Sequence, residues 1–258
     1  MIILRTEPDW LERQQIAGRI AGQCLSLARN LILTQSKLSL KDIERACHDW
    51  MTKHDATPTF LNYKGTFPGA ICTSVNNQLV HGVPTDYQLE SGDVIKIDLG
   101  VTYRGAIGDC AMTVIKGEPK HPSHLEMSEL CRAALNKAIA SVKIGARLGV
   151  IGSAIHHTVK SSRFGLVAHY GGHGIQENIP HAPPFVSNKS QPFDGIRIQP
   201  GLTLAIEPML TATSNTRTRV GSDGWTVYTE DVGVHWEHSL FVGEDKIHIL
   251  TEENEDHI

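Results

Sequence analysis

Along residues 10–33 the apolar side chains Ile16, Ile20, Cys24, Leu27 and Leu31 return every three or four positions, the spacing that lines one face of a helix. A second helix is expected over residues 39–53. Turn residues then separate extended segments at 69–77, 93–101 and 106–116, the last two joined by a tight turn at Tyr103-Arg104-Gly105. After Gly117-Glu118-Pro119 the same order begins again. Helices are expected over 123–142 and 147–161, followed by extended segments around Val167, at 202–210 and at 225–242. In the second helix of each series Leu40, Ile43, Ala46 and His48 match Leu148, Ile151, Ala154 and His156 at a constant offset of 108 residues. The pattern predicts an α+β chain of two similar halves, about 9–118 and 119–251. No Pro-, Gly- or Ser-rich linker divides them, so they are expected to form a single domain over 1–258 built around one sheet.

Composition narrows the function classes. Lys and Arg number 24 against 28 Asp and Glu, for a net charge of −4, and the basic residues are dispersed, so no nucleic-acid surface is expected. No window approaches the roughly 20 apolar residues that span a bilayer, and the apolar start Met-Ile-Ile-Leu is far shorter than a signal-peptide core. A cytoplasmic protein is expected. Cys24, Cys47, Cys72, Cys110 and Cys131 are odd in number and form no Cys-x-x-Cys pair, which fits a reducing compartment.

The chemistry lies in acids that interrupt apolar strands. Asp98 sits within Val94-Ile95-Lys96-Ile97-Asp98-Leu99-Gly100-Val101, and Asp109 within Ala106-Ile107-Gly108-Asp109-Cys110-Ala111-Met112. With the turn centred between Tyr103 and Arg104, the two carboxylates fall opposite or nearly opposite each other. Like charges across a strand pair destabilise it, and burying either alone costs more still; a cation between them removes both penalties. Glu207, in Leu204-Ala205-Ile206-Glu207-Pro208, and Glu237, in His235-Trp236-Glu237-His238, have similar surroundings. The four charges would neutralise two divalent cations. Among 14 histidines, His173 is set apart by the glycines of Tyr170-Gly171-Gly172-His173-Gly174, which let backbone and side chain approach an ion. An oxygen-rich set with one imidazole suits hard or borderline divalent ions rather than a structural zinc. His81 and His181 stand in turn-rich segments, Val80-His81-Gly82-Val83-Pro84 and Pro180-His181-Ala182-Pro183-Pro184, where catalytic groups often sit.

Taken in order, Val80-His81-Gly82-Val83-Pro84, Ile97-Asp98, Gly108-Asp109, Gly172-His173-Gly174-Ile175, Ile206-Glu207-Pro208-Met209, Gly224-Trp225-Thr226 and Glu237-His238 resemble the motifs of type I methionine aminopeptidase over about residues 9–251. The resemblance implies the pita-bread fold, with two pseudo-symmetric halves around a curved antiparallel sheet and helices on its outer face. It also implies that Asp98, Asp109, His173, Glu207 and Glu237 hold two divalent metal ions (Co, Mn, Fe or Zn), Asp109 and Glu237 bridging both. His81 and His181 would contact the substrate and stabilise charge at the scissile amide. The implied substrates are the N-termini of nascent polypeptides and peptides, with the ribosome as a transient partner, no membrane, and a monomeric enzyme. The stretch from His173 to His181 is one residue longer than the family's usual spacing and lacks its second glycine. The segment 60–68 also carries an extra residue, with Phe60 where a smaller one is common. Asp98-Leu99-Gly100 resembles the Asp-x-Gly of related proline-specific peptidases.

In such a site Glu207 is the candidate for taking a proton from the attacking water. Methionine is expected to enter an apolar pocket built from Phe60, Tyr63, Phe67, Cys72 and Trp225, whose rings and sulfur suit a thioether. Two other readings compete. A proline-directed peptidase of the same superfamily usually carries an additional N-terminal domain, for which this length leaves no room. A non-catalytic module that keeps the fold would have lost at least one ligand, and all five positions are filled.

Overall fold

The computed structural model describes residues 1–252. Helix α1 (Pro8–Thr34) begins with proline in its first turn, where the missing N–H has no helical partner to lose. Its most deeply buried face is Ala17, Gly18, Ala21, Leu25, Ala28 and Ile32, one step round from the predicted stripe. Cys24 and Ile20 join it, whereas Ile16 and Leu31 pack only partly buried at its edge. The small residues explain the shift, because they let the helix axis lie close to the strands beneath. Helix α2 (Leu40–Lys53) is started by a capping box: Asp42 N–H donates to Ser39 Oγ at 3.1 Å, and Ser39 N–H donates to Asp42 Oδ2 at 3.0 Å.

The strands that follow are β1 (Thr57–Pro58), β2 (Cys72–Val75), β3 (Gln78–Val80), β4 (Val94–Tyr103) and β5 (Ala106–Ile115). Helices α3 (Pro122–Ser141) and α4 (Gly149–Val159) come next. They are followed by β6 (Gly165–Leu166), β7 (Gly171–Gln176), β8 (Ile179–Ser187), β9 (Thr203–Ile206) and β10 (Met209–Thr211). The last strands are β11 (Thr218–Val220), β12 (Val227–Thr229), β13 (Gly233–His235), β14 (His238–Val242) and β15 (Ile247–Ile249). The four residue pairs matched between α2 and α4 have the same burial: Leu40 and Leu148, and Ile43 and Ile151, are buried, while Ala46 and Ala154, and His48 and His156, are half-buried.

Every strand pair is antiparallel, but the ladders divide into four sheets rather than one. β4 holds β1, β2 and β5; β10 lies between β13 and β6; β12 lies between β11 and β3; and β15-β14-β9-β7-β8 forms a five-stranded surface. The first and last of these meet where Glu237 N–H donates to Ala111 O at 2.9 Å. One apolar core joins α1 and α2 to β4 and β5. A second joins α3 and α4 to β9, β10 and β14. Trp236 packs against both.

The hairpin β7–β8 was not among the expected strands. Its glycines and prolines read as turns, and His181, placed by sequence in a turn-rich segment, lies on β8. The strand is possible there because β8 is the sheet's edge, where prolines 180, 183 and 184 need not donate to a further neighbour.

Candidate active site

The β4–β5 hairpin turns through Arg104 and Gly105, with φ of 48° and 83°, the two left-handed residues of a type I′ turn. Tyr103 therefore pairs with Ala106, and the expected register is off by one step on each strand. Asp98 lies opposite Ala111, and Asp109 opposite Gly100. The two aspartates are diagonal neighbours on one face rather than directly opposed. Carboxylate oxygens of Asp98, Asp109 and Glu237 nevertheless lie within 4.8 Å of one another.

The second half-chain closes the cluster. Glu237, next to the bridge to Ala111, enters just before β14; Glu207 follows β9; His173 stands on β7. His173, Glu207 and Glu237 offer ligand atoms within 4.8 Å, as do Asp109, His173 and His181. Asp109, His173 and Glu237 each belong to two of these groups, so the three groups adjoin one another. Each of Asp98, Asp109 and Glu237 has a buried oxygen without a hydrogen-bond partner. Burial raises all four carboxyls: Asp98 and Glu207 to about 7, and Asp109 and Glu237 well above the ordinary range, where neighbouring carboxylates add to the effect. Orphaned acceptors, packed like charges and one imidazole form a donor set that fits hard or borderline divalent cations. The structure thus brings all five predicted ligands together.

His81 follows β3 with a left-handed backbone, φ 58°. Gly82 fixes that turn: a Cβ there would come within 2.2 Å of Thr73 O, while its own carbonyl accepts from Thr73 N–H at 2.8 Å. Burial holds the His81 imidazole down to about 4, and hence neutral. His181 also titrates below its ordinary value, for the same first reason. Although the residue as a whole is exposed, its ring is enclosed by Phe60 (centroids 6.3 Å, stacked), His173 (4.5 Å) and Tyr63. The Tyr63 hydroxyl lies 2.7 Å from His181 Nδ1.

Phe60, Phe67 and Cys72 form a small buried cluster against which Tyr63 and Trp225 pack. Phe67 meets Trp225 edge-on at 5.2 Å. This cluster and the carboxylates line one cleft, with Lys64, Tyr170 and Phe185 among the other lining residues. Segment 60–68 turns where Asn62 and Lys64 are left-handed (φ 61° and 48°). Between His173 and His181 the β7–β8 pairing shifts register and turns at Asn178 (φ 57°).

His235 has no place in the sequence motifs. It is 1% exposed, and its Nε2 lies 3.2 Å from Glu207 Oε2. The one available signal was its alternation with Glu237 in an apolar segment.

Residues 12–244 match the model of metallopeptidase family M24. The chain belongs to metallopeptidase family M24. It is 37% identical over 252 residues to a methionine aminopeptidase of Borreliella burgdorferi, covering 96% of this chain and 98% of that protein. The crystal structure of a methionine aminopeptidase from Thermotoga maritima superposes with a TM-score of 0.92 at 34% identity, covering 98% of this chain and all of that one. A prolidase from Pyrococcus furiosus shares the fold, with a TM-score of 0.74 at 20% identity, but this chain covers only 66% of it. Family M24 membership brings with it the use of divalent metal, and the donor set described above can supply the ligands.

Proposed function

We propose that this M24 member is a methionine aminopeptidase, hydrolysing the N-terminal methionine from nascent proteins and peptides whose second residue is small. The observation that carries this is the juxtaposition, in one cleft, of the aromatic and sulfur-lined cluster Phe60, Phe67, Cys72 and Trp225 with the five potential metal ligands. The near-complete coverage of named methionine aminopeptidases, against two thirds of the prolidase, supports it.

In this reading Asp98, Asp109, His173, Glu207 and Glu237 would hold two divalent ions; Co, Mn, Fe and Zn all accept such donors. When bound, the ions supply Lewis acidity at the scissile carbonyl and make water nucleophilic near neutral pH. Glu207 accepts a proton from the attacking water. The substrate's free α-amine would sit at the ion-binding end of the cleft, which would restrict cleavage to the first residue. The apolar cluster receives the methionine side chain, with sulfur–aromatic contacts favouring the thioether. With the Tyr63 O–H as donor to His181 Nδ1, the ring proton would lie on Nε2. His181 and His81, both neutral, are then placed to stabilise charge on the substrate carbonyl and amide. The same reading takes the chain as one catalytic domain of two similar halves, monomeric and cytoplasmic, meeting the ribosome transiently.

The test compares peptides beginning Met-Ala, Met-Phe, Leu-Ala and Leu-Pro at equal concentration. Met-Ala is expected to be cleaved fastest. Met-Phe should be poor, because a bulky second side chain displaces the scissile carbonyl, and about 1 Å of misplacement costs roughly a hundredfold. Faster release of leucine from Leu-Pro than of methionine from Met-Ala would replace this reading with a proline-directed peptidase.

A further inference from the structure

The cluster contains a sixth polar side chain that neither the motifs nor the chemistry above uses. His235 ends β13, whose ladder with β10 pairs it with Met209, two residues beyond Glu207. Its backbone is clasped on both sides by Thr113: His235 N–H donates to Thr113 Oγ1 at 3.0 Å, and that hydroxyl donates to His235 O at 2.8 Å. The ring is therefore fixed from below and directed at the cluster. It is 1% exposed, and Nε2 approaches Glu207 Oε2 at 3.2 Å. Neither ring nitrogen has a well-aligned hydrogen bond. A buried imidazole N–H without an acceptor is destabilising, and the nearest remedy is a small rotation of the Glu207 carboxylate. Such bonds are often long or misaligned until a site is loaded.

Resting on the metal-dependent reading above, we infer that His235 is a positioning residue: its Nε2–H donates to Glu207 Oε2 and fixes the rotamer in which Glu207 serves as ligand and base. Glu207 needs such support. Its other close neighbour, His173 Nε2, lies 3.6 Å from Oε1 and is itself a ligand candidate, so it cannot orient Glu207 once both are engaged. Held from one oxygen by His235, the carboxylate keeps the other oxygen for the ion and the water. Outer partners of this kind are typically worth 10- to 100-fold in metal affinity or rate.

The test uses His235→Gln, whose amide nitrogen falls near the position of Nε2, and His235→Asn, whose shorter amide falls near Nδ1. Two measurements are made: calorimetric titration of chelated protein with Mn²⁺, and kcat and KM on a Met-Ala peptide. His235→Gln should bind Mn²⁺ within about threefold of the natural protein and keep most of its kcat. His235→Asn should bind roughly tenfold more weakly and lose about 10- to 100-fold in kcat with KM little changed. Equal behaviour of the two variants overturns the inference: if both match the natural protein, His235 is packing, and if both lose one ion from the stoichiometry, His235 is itself a ligand. Should either variant fail to fold, Thr113→Val, which releases the clasp without touching the ring, must reproduce the Asn pattern in the same Mn²⁺ titration, and unchanged binding there also overturns it. The titration does not depend on the peptide, so a natural protein that binds Mn²⁺ but spares Met-Ala would refute the proposed substrate while leaving His235 testable.

Discussion

Asp109 shows how much of the site's energetics rests in single atoms. It is 1% exposed, one of its oxygens has no hydrogen-bond partner, and its carboxyl is pushed upward by burial and then by Asp98 and Glu207. Asp109→Asn removes one charge and one potential bridging oxygen at constant size. Turnover of a Met-Ala peptide should fall by at least about a hundredfold and metal content should drop. The chelated variant should meanwhile melt higher than the chelated natural protein at pH 8, since a like charge has left the cluster. Near-normal turnover and metal content would remove Asp109 from the ligand set. Tyr63→Phe is the milder counterpart: ring packing against Trp225 stays, and the bond to His181 Nδ1 goes. A loss of roughly tenfold in kcat is expected, at the low end for one proton-positioning group, and unchanged kcat would show that His181 is oriented by other means. At this scale the ligands were legible because an acid inside an apolar strand is conspicuous. His235 was not, because a histidine has no such contrast with Val234 and Trp236 and its role depends on a neighbour 28 positions away, between β9 and β10.

At the scale of elements, the β4–β5 hairpin carries two of the acids and is pressed on its far side by α1. The contact is glycine on glycine: a Cβ at Gly108 would lie 2.5 Å from Gly18 Cα and 2.6 Å from its nitrogen, backbone atoms that cannot step aside. Gly108→Ala should therefore cost about 1–3 kcal/mol in urea unfolding and lower activity as well, because the residue adjoins Asp109. Gly65→Ala is the control. It has open space around it but φ of 75°, so only local strain is expected, about 1 kcal/mol. If the two cost the same, the helix is not docked through this contact. Helices and long apolar strands were readable in advance since their period and caps are local signals. The register of β4–β5 was not, because it depended on whether the turn used Tyr103 or Gly105, and two positive φ values decided it. The β7–β8 hairpin was hidden because its strand character comes from pairing with β9, against the local preference of its glycines and prolines.

At the scale of the molecule, two apolar cores flank a layer of four buried carboxylates, and this makes the metal-free protein's stability depend on pH in a definite direction. Asp98 and Glu207 titrate near 7 in the fold, against 3.8 and 4.5 for free groups, and Asp109 and Glu237 are also raised. Between those limits the folded state binds more protons than the unfolded chain, so stability from these groups is full below about pH 4 and is lost as pH rises through 7. The buried imidazoles act oppositely. His81 and His235 are lowered to about 4, so below 6.5 they favour unfolding, and their contribution improves as pH rises to 6.5. The opposing effects offset each other below that value; above it the four carboxylates act against one lysine, Lys96, whose ammonium burial holds well below its ordinary value so that its contribution still improves as pH rises. Chelated protein should therefore melt progressively lower from pH 6.5 to 8.5 while keeping its helical circular dichroism at 25 °C, since both cores are complete without ions. Adding Mn²⁺ at pH 8 should raise the melting temperature and flatten its pH dependence, because a bound cation stabilises the ionised carboxylates of the folded state. Calorimetric scans of chelated and reloaded samples across this range decide it. A chelated protein whose stability rises from pH 6.5 to 8.5, or one indifferent to Mn²⁺ at pH 8, would mean that the four carboxylates are already neutralised by groups other than a cation.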